Sequence, residues 1–198
     1  MAAVILAAGQ SRRLGRPKQL LAFRGEPLVR RAARAALVAG LDPVVSVVAP
    51  GADAVRAALS GLAVDVVENA ASRAGVGTSV AAGVARVRAV APGASGVVLV
   101  ACDQPLVDAD HLRSLVEARR RTGSPVVASE YAGVRGVPVL IGAEILEEVA
   151  ALDADRGARE VVRRDPARVV GVPFPGGDLD IDVEADVARA RKIENDGI

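Results

Sequence analysis

Short runs of β-branched and other apolar residues alternate along this chain with longer segments of helical period. The alternation predicts an α/β fold with a mainly parallel sheet and helices on both faces, because parallel strands need crossover helices. The strands predicted in the first half are Ala3–Ala7, Pro43–Ala49, Val64–Val67 and Val97–Ala101. Those predicted in the second half are Pro125–Tyr131, Val137–Ile141, Arg168–Phe174 and Leu179–Val183.

Apolar side chains recur at helical spacing between these strands, opposite polar ones, as a helix packed on a sheet requires. The stripes are Leu28, Ala32 and Ala36; Val80, Val84 and Val87; and Leu112, Leu115 and Val116. Two more helices are predicted near Ala143–Leu152 and Arg156–Arg164.

The chain has 198 residues and no internal repeat or low-complexity linker, so residues 1–198 are expected to form one domain. Its longest apolar runs, Met1–Ala8 and Val97–Cys102, fall far short of the roughly 20 residues that a membrane helix requires. No basic segment precedes Met1–Ala8, which is unlike a secretory signal. A single cysteine agrees with a reducing compartment, and a cytoplasmic location is expected.

Acidic and basic residues nearly balance. Twenty-five Lys and Arg against 24 Asp and Glu leave a formal net charge of +1, which provides no overall field for nucleic acid or an anionic membrane. The aromatic residues are only Phe23, Phe174 and Tyr131, too few for the stacking platforms of single-stranded nucleic-acid binders. Neither a nucleic-acid nor a membrane partner is expected.

The first predicted strand continues into a loop rich in glycine and cations, Gly9–Lys18, in which four of the seven residues from Arg12 onward are basic. Gly9 and Gly15 permit close backbone approach, so N–H groups can point at phosphate oxygens while Arg13 and Lys18 neutralise charge. The loop matches neither the P-loop pattern GxxxxGK[ST] nor the dinucleotide pattern GxGxxG. On composition alone, a phosphate site and a solvated basic loop both explain it.

A carboxylate follows the fourth predicted strand, in Cys102-Asp103-Gln104-Pro105. Asp103 and Gly9 therefore leave their strands at the same carboxyl edge, where open α/β sheets bind ligands. Because Mg²⁺ prefers one or two carboxylates with substrate phosphates and water, Asp103 is a candidate ligand. A turn or cap residue before Pro105 is the simpler alternative.

Two more carboxylates, Asp180 and Asp182, alternate with Leu179, Ile181 and Val183. In a strand they would share one face, and one of them could complete a magnesium site with Asp103. Taken by itself, this pattern is better explained by two acids on a solvated strand face.

The segment Gly75–Ser79 precedes the valine-striped helix, with Thr78 or Ser79 expected as its N-cap. Backbone N–H groups at such a helix start can receive a ligand oxygen or a base edge. A cap without a ligand is the default explanation.

Other residues receive no catalytic role. Cys102 is expected to be a small buried residue, and His111, the only histidine, is expected at the surface. Arg119, Arg120 and Arg121 fall near a helix C-terminus, where cations offset the macrodipole.

The motif Leu6-Ala7-Ala8-Gly9-x-Ser11-x-Arg13-x-Gly15-x-x-Lys18 closely resembles the N-terminal signature of nucleotidyltransferases related to molybdenum cofactor cytidylyltransferase and guanylyltransferase. The resemblance covers almost the whole chain and continues, in order, through Gly75-x-Gly77-Thr78-Ser79, Cys102-Asp103-Gln104-Pro105, Gly136-x-Pro138, Asp155-x-Gly157-Ala158-Arg159 and Asp180-Ile181-Asp182.

This resemblance implies a Rossmann-like nucleotidyltransferase fold and a magnesium-dependent enzyme, with Asp103 and Asp182 as the Mg²⁺ ligands. It implies catalytic roles for Arg13, Lys18 and Asp103. The nucleotide-binding residues that it implies are Leu6, Ala7, Ala8, Gly9, Arg13, Lys18, Gly75, Thr78 and Ser79.

The substrates also follow from the resemblance. Ala8 is similar to the cytidylyltransferase branch, whereas the guanylyltransferase branch usually has a second glycine there, so CTP is expected rather than GTP. The Asp155–Arg159 motif resembles the same branch. The expected acceptor is the terminal phosphate of molybdopterin, and a molybdoenzyme that receives the cofactor is a further candidate partner.

The chain departs from the family pattern at Val76, often Met, at Val137, often His, and at Val183–Asp186, where Thr-Pro-Glu-Asp is usual. These positions bear on the base and the acceptor. The alternatives are therefore a guanylyltransferase or sugar-phosphate nucleotidyltransferase of the same superfamily, and a nucleotide-binding regulatory protein without turnover. The presence of both Asp103 and Asp182 argues against the last.

Overall fold

The computed structural model describes residues 1–151 and 157–196. Within them the strands, in chain order, are β1 (Ala2–Ala7), β2 (Ala22–Phe23), β3 (Glu26–Pro27), β4 (Val44–Val48), β5 (Asp65–Glu68), β6 (Gly96–Ala101), β7 (Val126–Tyr131), β8 (Val134–Gly142) and β9 (Val169–Pro173). The α-helices are α1 (Leu28–Val38), α2 (Asp53–Ala58), α3 (Val76–Val90), α4 (Ala109–Thr122), α5 (Leu146–Ala150), α6 (Ala158–Arg164) and α7 (Glu184–Asn195).

One seven-stranded sheet organises the fold, in the order β5-β4-β1-β6-β8-β7-β9. The strands β5, β4, β1 and β6 are parallel, as are β7 and β9. Only β8 is antiparallel to its two neighbours in this sheet. The prediction of a mainly parallel sheet covered by helices on both faces is confirmed.

The composition of β1 follows from its central position. Ala3, Ile5 and Ala7 belong to the core beneath α1, α2 and α4, whereas Ala2 and Val4 belong to the core beneath α3, α5 and α6. A strand buried on both faces has no polar side, which is why it reads as a continuous apolar run.

The helix α3 approaches β1 closely because its Gly83 has no side chain. A Cβ at this position would collide with Val4 of β1. The close contact places the N-terminus of α3 beside the carboxyl end of the sheet.

A third apolar cluster attaches the C-terminal helix. Val187 and Ala190 of α7 pack with Leu179, Ile181 and Phe23. This cluster holds the segment around Asp180 and Asp182 against the loop that follows β1.

The predicted strand Leu179–Val183 is wrong, because these residues form no strand. Leu179 and Ile181 point into the third cluster, which produces the apolar alternation, but the backbone makes isolated bonds instead of a ladder. One of them runs from Ile181 N–H to the carbonyl of Asp103, at 3.0 Å.

The other predicted elements are found with bounds shifted by a few residues, β8 starting at Val134 and α6 at Ala158. The predicted helix Ala143–Leu152 is a 3₁₀ turn, Ala143–Ile145, followed by α5. Leu152, Asp155 and Arg156 lie outside the described residues. None of the helices in the described part of the chain has the length and apolarity needed to cross a bilayer.

Candidate active site

The loop after β1 is held in shape by the buried side chain of Gln19. Its amide nitrogen donates to the carbonyls of Ala7, at 3.0 Å, and Gly9, at 2.6 Å. Ser11 adopts a positive φ of 49° and its Oγ accepts from the backbone N–H of Lys18 at 3.0 Å. The loop therefore turns back on itself, which brings Lys18 beside the end of β1. Sequence reasoning missed Gln19, since a glutamine between a lysine and a leucine carries no distinguishing pattern.

The central feature of the site is one ammonium group between two carboxylates. Lys18 Nζ lies 2.5 Å from Asp103 Oδ2 and 2.7 Å from Asp182 Oδ1. Only 12% of the Lys18 side chain is exposed. Burial alone would lower the pKa of Lys18, but Asp103 and Asp182 outweigh it and raise the pKa above its ordinary value. Lys18 is therefore a permanent cation.

Asp182 is shared with a second cation. Arg13 Nη2 lies 2.6 Å from Asp182 Oδ2, and 69% of the Arg13 side chain is exposed. Partial burial would raise the pKa of Asp182, but Lys18 and then Arg13 lower it below its ordinary value. Of the two carboxylates that sequence reasoning left open, Asp182 and not Asp180 contacts Lys18.

Two contacts bring Asp182 to the loop after β6. One is the bond from Ile181 to Asp103, and in the other the side chain of Gln104 donates to the carbonyl of Gly177 at 2.9 Å. The same side chain also donates to the carbonyl of Val137 in β8, at 3.1 Å. Asp186 then accepts from the backbone N–H groups of Asp182 and Val183, both at 2.9 Å. Asp182 is thus fixed at the entrance of α7, opposite Asp103.

A crevice of about 300 Å³ opens beside this cluster. We call it the cationic crevice, and it is lined by Gly9–Arg13, Lys18, Ser72, Arg73 and Asp182. A larger cavity of about 630 Å³ lies between the β7–β8 turn and α6, but neither Asp103 nor Asp182 lines it. Of these two cavities, only the smaller crevice is lined by Lys18 and by one of its two carboxylate partners, Asp182.

The segment Gly75–Ser79 forms the start of α3, but the predicted N-cap is wrong. The helix begins at Val76 after Gly75, whose φ of 141° suits glycine, so Thr78 and Ser79 lie in the first turn. Asn69, which follows β5, donates to Thr78 Oγ1 at 2.9 Å and to Ser79 Oγ at 3.0 Å. Ser79 is buried and faces this network, whereas Thr78 is partly exposed.

The apolar residues assigned to the nucleotide lie around the end of β1. Leu6 and Ala7 are the last residues of the strand, and Ala8 is buried against the core beneath α3. Gly9 is exposed and lines the cationic crevice.

The carboxylate pair is suited to a divalent cation that also binds phosphate. No cluster of three or more acidic, histidine or cysteine ligands occurs in residues 1–151 and 157–196. Mg²⁺ does not need such a cluster, because one or two carboxylates with substrate phosphates and water satisfy it. Lys18 Nζ marks a point that both carboxylates reach, so Asp103 and Asp182 can hold a cation in common.

Cys102 and His111, the cysteine and the histidine of this chain, are both buried and unsuited to nucleophilic or acid-base chemistry. Burial raises the pKa of the Cys102 thiol well above its ordinary value, which keeps it protonated. The prediction that His111 lies at the surface is wrong. It is buried, its ring stacks on Phe174 at 4.0 Å, and its Nε2 lies 2.7 Å from Ser129 Oγ.

Comparison with known proteins gives a family. The profile described as MobA-like NTP transferase domain matches residues 3–169. Nicotine blue oxidoreductase of Paenarthrobacter nicotinovorans is 33% identical over 172 residues, which are 82% of this chain and 81% of that protein. A probable molybdenum cofactor guanylyltransferase of Opitutus terrae is 32% identical over 180 residues, covering 87% of this chain and 85% of that protein.

A solved structure of a related protein contains a metal. The structure of Rv0371c from Mycobacterium tuberculosis in complex with manganese matches with a TM-score of 0.75 at 32% identity. The match covers 96% of this chain and 97% of that one.

Proposed function

This chain belongs to the MobA-like NTP transferase family of nucleotidyltransferases, and from that premise we propose that it transfers CMP from CTP to the terminal phosphate of molybdopterin. Pyrophosphate is the second product. The observation that carries this proposal is the convergence of Asp103 and Asp182 on one cation beside a loop that contributes Arg13 and Lys18.

The demands of the reaction match this set of residues. An oxygen of the acceptor phosphate attacks the α-phosphorus, the bond from that phosphorus to the bridging oxygen breaks, and pyrophosphate leaves with the electron pair. A phosphate monoester has its second pKa near 6, so the nucleophile is already mostly ionised at neutral pH. No general base is required, which agrees with the buried positions of His111 and Cys102.

The protein supplies positioning and charge. Asp103 and Asp182 hold Mg²⁺, and Arg13 and Lys18 bind the β- and γ-phosphates. When bound, the metal neutralises charge on the reacting phosphate. Lys18 is mostly buried and lies between Asp103 and Asp182, so its ammonium group would be displaced by a Mg²⁺ ion held by both carboxylates and would then bind the phosphates.

The nucleoside is assigned to the end of β1 and the start of α3, with Leu6, Ala7, Ala8, Gly75, Thr78 and Ser79 around it. Backbone groups there read the edge of the base, while the methyl group of Ala8 limits its size. The contacts of Asn69 with Thr78 and Ser79 support this assignment, because they keep that edge of the pocket rigid.

A guanylyltransferase is the competing function, favoured by the Opitutus terrae relative. The relative from Paenarthrobacter nicotinovorans is named an oxidoreductase, and oxidoreduction is a different class of reaction. Against that class, the loop after β1 lacks the glycine spacing of a dinucleotide fingerprint.

The deciding experiment incubates the full chain with Mg²⁺, molybdopterin and each of CTP, GTP, ATP and UTP, and measures pyrophosphate release. Release with CTP above all others is expected. Release with GTP alone would support the guanylyltransferase. No release with any triphosphate, together with oxidation of a reduced pyridine nucleotide, would overturn transferase activity altogether, and binding without turnover would indicate a regulatory protein.

A further inference from the structure

Two arginines of the cationic crevice have no part in the function described so far. Arg12 lies on the loop after β1, and Arg73 lies on the 3₁₀ turn Ser72–Ala74 that precedes α3. They line the crevice from two separate walls, one following β1 and the other following β5.

Neither arginine has an acidic partner among the described residues. Arg13, Arg16 and Lys18 all form ion pairs with carboxylates. Within residues 1–151 and 157–196, no carboxylate pairs with Arg12 or Arg73. The only side-chain hydrogen bond of Arg12 in this part of the chain runs from its Nε to Gln10 Oε1, at 2.7 Å. The guanidinium nitrogens of Arg73 and the terminal nitrogens of Arg12 are therefore open to a ligand.

The charge of the crevice is unbalanced as a result. Four basic side chains line it, whereas the acidic side chain in its lining is that of Asp182. The basic ones are Arg12, Arg13, Lys18 and Arg73. Arg13 and Lys18 are paired with carboxylates, whereas Arg12 and Arg73 add two positive charges that no carboxylate of the described residues offsets, and a polyanion in the crevice can pair with both. A planar guanidinium can donate two hydrogen bonds to two oxygens of the same phosphate, which makes arginine well suited to bind such an anion.

The wall that carries Arg73 is held rigidly. The buried Asn69 accepts from the backbone N–H of Ala71 at 3.0 Å through its Oδ1, while its Nδ2 donates to Thr78 and Ser79. The backbone N–H of Ser72 also donates to the carbonyl of Asn69, at 3.1 Å. The backbone of the turn is thereby fixed opposite the loop after β1, and only the Arg73 side chain has to move to meet a ligand.

We propose that Arg12 and Arg73 form a clamp of two walls that grips the β- and γ-phosphates of the triphosphate and the pyrophosphate produced from them. This inference rests on the proposed function and extends it to two residues that the family signature does not specify. The triphosphate end is favoured over the acceptor's phosphate because Arg73 shares its crevice with Gly9, Ser11 and Lys18. When the bond between the α-phosphorus and its bridging oxygen breaks, the clamp already surrounds the anion that leaves.

The test measures binding of inorganic pyrophosphate with Mg²⁺ to the full chain by calorimetry, for wild type, Arg12→Ala, Arg73→Ala and the double variant. The matched control is Arg120→Ala, since Arg120 is exposed on α4 and pairs with no carboxylate of the described residues. Each clamp variant is expected to raise the Kd about tenfold, the scale of one hydrogen bond to a charged group, and Arg120→Ala is expected to leave it unchanged. Arg73→Lys should recover part of the loss, because it keeps the charge but not the planar pair of donors.

Steady-state kinetics distinguishes an interaction with the triphosphate from one with the phosphate of the acceptor. Arg73→Ala should raise KM for the triphosphate and leave KM for the acceptor unaltered. A rise in the acceptor KM with unchanged pyrophosphate binding would assign Arg73 to the acceptor and overturn the clamp. Unchanged pyrophosphate binding in the double variant, with normal wild-type turnover, would overturn the clamp alone. Absence of turnover in wild type would overturn the proposed function, while the calorimetry would still decide whether the clamp exists.

Discussion

Asp103 and Asp182 contact the same nitrogen atom, Lys18 Nζ, at 2.5 and 2.7 Å, although one follows a central strand and the other precedes the C-terminal helix. Two carboxylates so close repel each other unless a cation lies between them. Lys18 supplies that cation, and the same position is within reach of a metal ion. The pair therefore defines a point at which one cation contacts two carboxylates from distant parts of the chain.

Asp103→Asn is expected to reduce kcat more than tenfold while the fold is kept, because an amide is a far poorer ligand for Mg²⁺ than a carboxylate. The measurement is pyrophosphate release at saturating substrates, with circular dichroism to check folding. Asp110→Asn is the control, since 89% of the Asp110 side chain is exposed on α4, away from the crevice. If Asp103→Asn keeps more than about a tenth of the wild-type kcat, equivalent to about 1.4 kcal/mol of barrier, Asp103 is not a metal ligand.

Lys18→Ala and Arg13→Ala are expected to differ in severity. Lys18 is mostly shielded from solvent and lies between two carboxylates, so its loss should raise the barrier by about 3 kcal/mol, the scale of one preorganised donor. Arg13 is mostly exposed and screened by water, so its loss should reduce kcat/KM by about tenfold. Steady-state kinetics with varied CTP measures both effects. Normal kinetics in both variants would mean that the loop after β1 is a solvated surface.

Ala8→Gly is expected to shift the choice of base from CTP toward GTP. Ala8 is buried directly after β1, and removal of its methyl group is expected to widen the pocket that the proposed function assigns to a pyrimidine. A site that pairs with particular ring atoms discriminates strongly, because a wrong base leaves buried polar groups unpaired. The ratio of kcat/KM for the two triphosphates measures the shift, and an unaltered ratio would remove Ala8 from base selection.

His111 is expected to make stability depend on pH between about 6.5 and 4. Burial lowers the pKa of His111 to about 4, against an ordinary value of 6.5. The unfolded chain therefore takes up the proton first, so the stability contributed by neutral His111 is complete above pH 6.5 and is lost as pH falls toward 4. The loss amounts to about 3 kcal/mol at most.

Urea unfolding at pH 7.5 and pH 5 tests this expectation. Wild type should lose more free energy of unfolding between the two conditions than His111→Gln, which cannot titrate. Equal losses in the two proteins would show that His111 is accessible and titrates normally in the folded state.

The sequence by itself determined the sheet and the two loops at its carboxyl edge. β1 and β6 are continuous apolar runs because helices cover both of their faces, and such runs can be recognised in the sequence without a structure. Since parallel strands end at one edge, the proximity of Gly9 and Asp103 also followed from the pattern alone.

Only the tertiary structure decided which side chains complete the site. Leu179–Val183 alternates like a strand, yet it forms none, because its apolar residues fill a cluster with α7 while Asp182 turns toward Lys18. Gln19, Gln104 and Arg73 lie in no periodic pattern, and His111 is hidden by Phe174 from a distant part of the chain. The physical reason is that the spacing of apolar residues along a strand or helix indicates only which of its faces is buried against the adjacent sheet or helix. The partner of a polar side chain depends instead on contacts between residues far apart in sequence, which leave no local pattern.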